Sequence, residues 1–139
     1  MVTIVFWSGT GNTEAMAEAV AEGVRQGGAE VTLLNVSEAD ESVLDSDVVI
    51  FGCPAMGAEE LEDGEFEPYF AGLEDKLAGK KIALFGSYEW AEGEWMQTWQ
   101  ARCEADGAVL IRDGLIAYST PDNEAIEKCV ALGKLAAAQ

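Results

Sequence analysis

The sequence predicts an α/β fold: a parallel five-stranded sheet with helices on both faces. Three observations predict it. Strand-like and helix-like stretches alternate five times along the 139 residues, which requires right-handed crossovers and a parallel sheet. The third and fourth strand-like stretches, residues 47–52 and 80–86, are apolar without alternation, as strands covered on both faces are. Ser8-Gly9-Thr10-Gly11-Asn12-Thr13 lies between the first strand and the first helix, where backbone N–H groups at a helix start converge on an anion.

The elements follow in order. Thr3-Ile4-Val5-Phe6-Trp7 is a β-branched and aromatic run and reads as a buried strand. Residues 14–26 read as a helix, because Met16, Val20 and Val24 fall every fourth residue on one face. Gly27-Gly28 then stops it. Residues 30–36 form a second strand, and 37–46 an acidic connection with at most one weak helical turn. After the third strand a loop runs from 53 to 64, beyond which Phe66, Phe70, Leu73 and Leu77 keep helical spacing as far as Gly79. The fourth strand leads through a loop at 87–93 into a helix near 94–105, with Trp95, Trp99 and Cys103 on one stripe. Residues 108–111 and 115–118 form a fifth strand, broken by Arg112-Asp113-Gly114. Pro121-Asp122-Asn123 opens a last helix that turns Ala125, Cys129 and Leu132 inward. No repeat, low-complexity tract or linker divides the chain, so residues 1–139 are expected to form a single domain.

Eight basic against 26 acidic residues give a formal net charge of −18. Nucleic acid and anionic membrane surfaces are thereby disfavoured as partners. A protein with a basic face would be steered toward the chain, although such a charge also serves solubility and keeps a small protein monomeric. No apolar run approaches membrane-spanning length, and Met1 to Ile4 enter the first strand without a basic leader, so no signal peptide is expected. Cys53, Cys103 and Cys129 are odd in number and show no C-x-x-C pairing. That argues against a disulfide framework or a zinc site and points to a reducing cytoplasm. His is absent, which removes the commonest metal ligand and general base.

Ser8, Thr10 and Thr13 supply hydroxyls, Asn12 an amide, and Gly9 and Gly11 the freedom for close backbone approach. No Lys or Arg appears before Arg25, so this is not a triphosphate loop of the G-x-x-x-x-G-K-[ST] type. Nor is it G-x-G-x-x-G, since Glu14 stands at the third glycine. What remains is a set of neutral donors suited to one phosphate monoester, against the plainer reading of a turn that caps a helix. In such sheets ligands bind outside the carboxyl ends of the strands, where the loops after strands one, three and four emerge. The third-strand loop contains Met56-Gly57-Ala58-Glu59, which reads as a tight turn with Gly57 at positive φ. The fourth-strand loop contains Trp90, outside the stripe of Trp95 and Trp99. It is suited either to stacking on a planar ligand or to packing over a neighbouring loop.

Taken together and in order, W-S-G-T-G-N-T-E, C-P-A-M-G-A-E-E and F-G-S-Y-E-W-A-E-G-E-W resemble the flavodoxins, the small FMN-binding electron carriers. The similarity spans the whole chain and is greatest to the short-chain, anaerobic-bacterial type, because the fifth strand carries no long insertion. It implies a three-layer flavodoxin-like sandwich with strand order 2-1-3-4-5. It also implies particular roles. Ser8, Gly9, Thr10, Gly11, Asn12 and Thr13 would hold the FMN phosphate. Met56 and Trp90 would flank the isoalloxazine ring. Gly57 would be the residue whose peptide flips on reduction to meet flavin N5–H, and Glu59 would accept from N3–H, with Glu60 a weaker candidate. Pro54, Ala55, Ser87, Tyr88 and Gly93 would line the ribityl chain and ring edge, and residues near Pro121 and Asp122 are further candidates. Two departures stand out: Glu89-Trp90-Ala91 where relatives often carry Gly-Trp-Gly, and Ala58 where an Asp or Ser is usual.

The resemblance makes the expected function one-electron transfer by non-covalently bound FMN, without substrate turnover, between redox enzymes of the ferredoxin-type oxidoreductase class. A hydrogen bond from N5–H to the Gly57 carbonyl would contribute about 1 kcal/mol to the semiquinone. The anionic hydroquinone would face Glu59, Glu60, Glu62, Asp63, Glu65, Glu89, Glu92 and Glu94. One unit charge about 10 Å away, at an effective dielectric of about 20, costs about 1.7 kcal/mol before screening. The acidic loops are therefore expected to make a low-potential carrier of the semiquinone/hydroquinone couple. Six acids in the nine residues 59–67 fit either a solvated helix start or a docking face for a basic partner. The competing readings are an FMN reductase of quinones or nitro groups, a phosphoacceptor domain and a flavin-free binding domain. The first lacks room for a substrate domain, and the second lacks the acids that hold Mg²⁺. The third is open because fold alone does not set function.

Overall fold

A computed structural model describes residues 1–56, 60–89 and 92–139. β1 (Val2–Phe6) pairs in parallel with β2 (Val31–Asn35) on one side and β3 (Val48–Gly52) on the other, with Ile4 level with Leu33 and Ile50. β3 pairs in turn with β4 (Lys81–Tyr88). The far edge of β4 takes β5 (Val109–Leu110) and then β6 (Leu115–Tyr118), both parallel. The strand order is 2-1-3-4-5, with β6 completing the interrupted fifth position. The interruption has a local cause: Gly114 lies so close to Met96 that a β-carbon would overlap its sulfur, and the Gly114 N–H donates to Gln100.

Helices cover both faces. Side chains alternate along the central strands, so Ile4, Phe6, Val48, Ile50, Ala83 and Phe85 face one layer and Val5, Val49, Phe51, Ile82 and Leu84 the other. The first layer is α1 (Asn12–Gln26) and α4 (Asn123–Ala137), which bury Met16, Val20, Val24, Cys129 and Leu132. The second is α2 (Phe66–Leu73) and α3 (Glu94–Ala105), which bury Phe66, Phe70, Trp95 and Trp99.

Several boundaries differ from the sequence reading, four of them with a local cause or consequence. α1 begins at Asn12, two residues earlier, because Gly11 takes a left-handed φ of 95° and turns the chain directly into the helix. β4 runs on through Ser87 and Tyr88, extended by its ladder to Ala117 and Tyr118 of β6. α2 tightens into a 3₁₀ turn at Glu74–Lys76. The 37–46 connection holds two short 3₁₀ turns, Val36–Glu38 and Glu41–Asp45, capped by the Asn35 and Asp40 side chains.

Candidate functional site

The sheet's backbone pairing continues past the ends of its strands and draws three loops together. Trp7 N–H donates to Gly52 O at 3.0 Å, Cys53 N–H to Phe85 O at 3.1 Å, and Ala55 N–H to Ser87 O at 2.9 Å. Two glycines permit this closeness. A β-carbon at Gly52 would lie 2.2 Å from the Phe85 ring, and one at Gly86 would lie 2.1 Å from the Cys53 carbonyl oxygen. The result is a cleft of about 200 Å³ at the carboxyl edge of β1, β3 and β4.

From the first loop, Gly9, Thr10, Asn12 and Thr13 line the cleft. Ser8 and Gly11 stand behind them, where the Gly11 N–H donates to Ser8 Oγ at 3.1 Å and closes the turn. Thr13, at 1% exposure, shares a 3.0 Å hydrogen bond with the buried Ser87 hydroxyl and so ties the start of α1 to the end of β4. Asn35, Asp40 and Asp122 each cap their helical segments with a side chain, whereas the residue preceding α1 is Gly11 and supplies none. The Asn12 N–H donates to Thr10 Oγ1 at 3.4 Å, and the other first-turn amides of α1, at a helix start without a cap from Gly11, are donors of the kind that satisfy an anion.

From the other two loops come Pro54, Ala55 and Met56, then Ser87, Tyr88 and Glu89. Tyr88 is wedged between Trp95, at 5.8 Å between ring centroids, and Tyr118, at 5.5 Å. Glu89 is exposed and accepts from Ser119 Oγ at 3.4 Å. Gly93 stands apart from the cleft, as the left-handed residue before α3, against Ile116. Gly57, Ala58, Glu59 and Trp90 lie outside the described residues. Met56 and Glu60, on either side of 57–59, are joined by a 2.9 Å hydrogen bond from Met56 N–H to the Glu60 carbonyl.

Two residues, one lining the cleft and one behind it, are not singled out by the sequence. Trp7, at the end of the strand-like run, lines the cleft, covers Gly9, and donates its indole N–H to Glu65 Oε1 at 3.3 Å. Its signal was an aromatic residue immediately before the glycine-rich loop. Glu62 reads in the sequence as one exposed acid among six, yet it is 8% exposed. Burial pushes its carboxyl up, but bonds from the Phe66, Glu65 and Gly64 amides outweigh that and hold it below the ordinary carboxylate value. The Cys53 thiol, buried beside it, is pushed up to about 12 by burial and is no nucleophile. Among the described residues no cluster of Cys, Asp and Glu is arranged to hold a metal ion.

Comparison with known proteins agrees with this architecture. A family model described as "Flavodoxin" matches residues 4–133. A flavodoxin from Megasphaera elsdenii is 48% identical over 99% of this chain and 98% of its own length. One from Clostridium beijerinckii is 46% identical over 94% of this chain and 95% of its own. Among solved structures, the two-electron-reduced Megasphaera elsdenii flavodoxin in solution superimposes with a TM-score of 0.89, covering all of both chains at 46% identity. Oxidised flavodoxin 1 from Bacillus cereus does so at 0.86 and 29% identity, covering 99% of this chain and 97% of that one. Flavodoxins are themselves the standard example of the 2-1-3-4-5 sheet with its ligand at the β1/β3 switch point. On sequence, topology and the position of its cleft, the chain belongs to the flavodoxin family, the FMN-binding electron carriers.

Proposed function

We propose that residues 1–139 act as a single domain in which FMN lies across the described cleft and serves as a low-potential one-electron carrier for basic-faced redox enzymes. Membership of the family already makes the chain an electron-transfer protein rather than an enzyme, with FMN as its cofactor. The observation that carries the finer reading is the uncapped start of α1 beside neutral donors, with no Lys or Arg before Arg25. That donor set fits one phosphate monoester. The walls fit a planar ring: Trp7, Met56 and Tyr88 surround the same cleft. When bound, FMN supplies one-electron chemistry, and the chain's residues hold and insulate it.

In this reading the Gly9–Thr13 segment binds the phosphate, and the Thr13–Ser87 hydrogen bond keeps that segment in register with the ribityl side of the cleft. By resemblance to the family, Met56 and Trp90 would shield the ring from water, and Gly57 and Glu59 would serve its N5 and N3. Glu60, Asp63 and Glu65 lie on the loop beside the cleft without a basic partner among the described residues. Their charge disfavours added negative charge on the ring and favours a basic docking face. Among the described residues no helix is long and apolar enough to cross a membrane. We assign the protein to the cytoplasm, as a monomer, on its unpaired buried cysteines and its high charge.

The test is titration of the apoprotein with FMN, followed by stepwise anaerobic reduction of the complex. Quenching of flavin fluorescence at one FMN per chain, two resolved one-electron steps, and a second midpoint below that of free FMN are the expected results. Absence of binding would overturn the cleft assignment. One unresolved two-electron step, with steady oxidation of NADH or NADPH by the protein alone, would favour a reductase.

A further inference from the structure

Among the described residues Glu62 is the one acidic side chain that is buried. The loop acids Glu60, Asp63 and Glu65 beside it are exposed, as loop acids ordinarily are. Its carboxylate accepts three backbone N–H bonds, from Gly64 and Glu65 at 2.7 Å and from Phe66 at 2.9 Å. Its own N–H donates to Cys53 Sγ at 3.4 Å, and its carbonyl accepts from Glu67 N–H at 2.8 Å. Cys53 is the first residue beyond β3, and Phe66 is the first residue of α2. One side chain and its peptide therefore fasten the returning end of the 53–65 loop to the end of β3 and to the start of α2.

The fastening extends in two directions. Two residues back along the chain, Glu60 is joined to Met56 across residues 57–59 by the 2.9 Å hydrogen bond. Three residues forward, Glu65, whose amide Glu62 holds, accepts the Trp7 indole N–H. Trp7 lines the cleft and covers Gly9 of the phosphate-side loop. A cap for α2 alone would need only a short Asp, Ser or Asn at the helix start. Glu62 instead reaches over three residues from a buried position, into a stretch of chain whose ends bond Met56 and Trp7, both of which line the cleft.

We infer that Glu62 is a positioning residue for the cofactor. It touches no part of the cleft, and its buried carboxylate sets the placement of Met56 and Glu60 on the ring side and of Trp7 on the phosphate side. The inference rests on FMN occupying the described cleft. It requires geometry as well as charge: removing the charge and shortening the side chain should do the same damage.

The experiment measures the FMN dissociation constant by flavin fluorescence quenching at 25 °C for the native chain, Glu62→Gln, Glu62→Asp and Asp40→Ala, with thermal melts of each apoprotein. Glu62→Gln keeps the shape but turns an amide N–H₂ toward N–H donors. Glu62→Asp keeps the charge but is one methylene too short to reach Phe66. Asp40→Ala removes an ordinary exposed cap at the Ser42 amide, away from the cleft. Both Glu62 variants are expected to bind FMN at least tenfold more weakly while still folded at 25 °C. Asp40→Ala is expected to melt earlier and bind unchanged. Native affinity in Glu62→Gln would overturn the inference. So would native affinity in Glu62→Asp alone, which would show that charge suffices. If Glu62→Gln does not fold, Glu65→Ala, which removes the acceptor of the Trp7 indole N–H and leaves the cleft wall unchanged, takes its place. A loss of about threefold is then expected, and unchanged binding overturns the inference. Failure of the native chain to bind FMN would refute the cofactor reading instead.

Discussion

The two helical layers bury similar sheet faces by different means. α1 and α4 meet backbone to backbone: a β-carbon at Gly23 would lie 2.0 Å from the Val130 carbonyl oxygen, and one at Gly133 would lie 2.0 Å from that of Val20. α2 and α3 meet through rings and charge. Phe66, Phe70 and Trp99 pack with centroids 5.5 to 6.2 Å apart. Arg102 lies 5.1 Å over the Phe70 ring and binds Glu67 through two 2.6 Å contacts and Glu74 through one of 2.5 Å. The loops after β3 and β4 enter α2 and α3, whereas the α1/α4 layer touches the cleft only at the start of α1. One layer is thus a close-packed support. The other carries two of the three loops that form the site, together with most of the charge placed beside it. Perturbing the first should change stability alone, and perturbing the second should change stability and cofactor affinity together.

The largest effect is expected at Trp99, which is 1% exposed at the centre of the aromatic group. Trp99→Ala should lower stability by about 3–5 kcal/mol and weaken FMN binding, since Trp99 packs on Phe66 at the start of α2. Trp99→Phe should do much less, because the indole N–H has no acceptor among the described residues and its loss leaves no donor unsatisfied. Urea melts with FMN titrations on the same samples check both. An alanine variant with a large stability loss but native affinity would break the distinction between the layers.

Gly23→Ala comes next. Its methyl group cannot fit without separating α1 from α4, and overpacking of this kind costs about 1–3 kcal/mol. FMN affinity, measured where both proteins are folded, should be unchanged, because Gly23 lies in the last turns of α1, away from Gly9 to Thr13. An affinity loss as large as that of Trp99→Ala would show that the support layer also tunes the site.

These layers were unequally legible in the sequence. Strand runs such as Val48 to Phe51 and the Met16, Val20, Val24 stripe announced themselves by composition and period, and the core follows both. The donor set at Ser8 to Thr13 was legible because its chemistry is local. The Gly23–Gly133 contact was not, since neither glycine breaks its helix and the contact exists only once the two helices cross. Glu62 was not either: Glu60, Glu62, Asp63 and Glu65 are equivalent as letters, and only the Cys53 thiol and the α2 amides, assembled by the fold, single one out. Trp7 reads as part of a strand because its run is β-branched and aromatic, yet β1 ends at Phe6 and Trp7 lines the cleft. Roles for Gly57, Ala58, Glu59 and Trp90 rest on resemblance to relatives.

The smallest effect expected is at the far end of the charged layer, and it depends on pH. Asp106 stands at the C-terminal end of α3, where its Oδ2 is shielded from water and has no donor among the described residues. The facing Glu74 carboxylate, and then burial, push its carboxyl up to about 6, against the pull of Arg102. Glu74 is held below its ordinary value, chiefly by its bond to Arg102. Of the two acids, Asp106 is therefore the one that takes the proton. A carboxyl whose pKa rises on folding stabilises the protein fully below its unfolded value, about 4, and that contribution disappears as pH climbs through about 6. Above that pH the ionised Asp106 opposes both Glu74 and the negative end of the α3 dipole. Asp106→Asn reproduces the protonated form and can donate to Glu74 at every pH. It should leave urea stability unchanged at pH 4.5 and raise it by about 0.5–1 kcal/mol at pH 7.5, after allowance for solvent screening. An equal gain at both pH values would assign the effect to the helix end alone, and a loss at pH 7.5 would mean that Arg102, and not Glu74, governs Asp106.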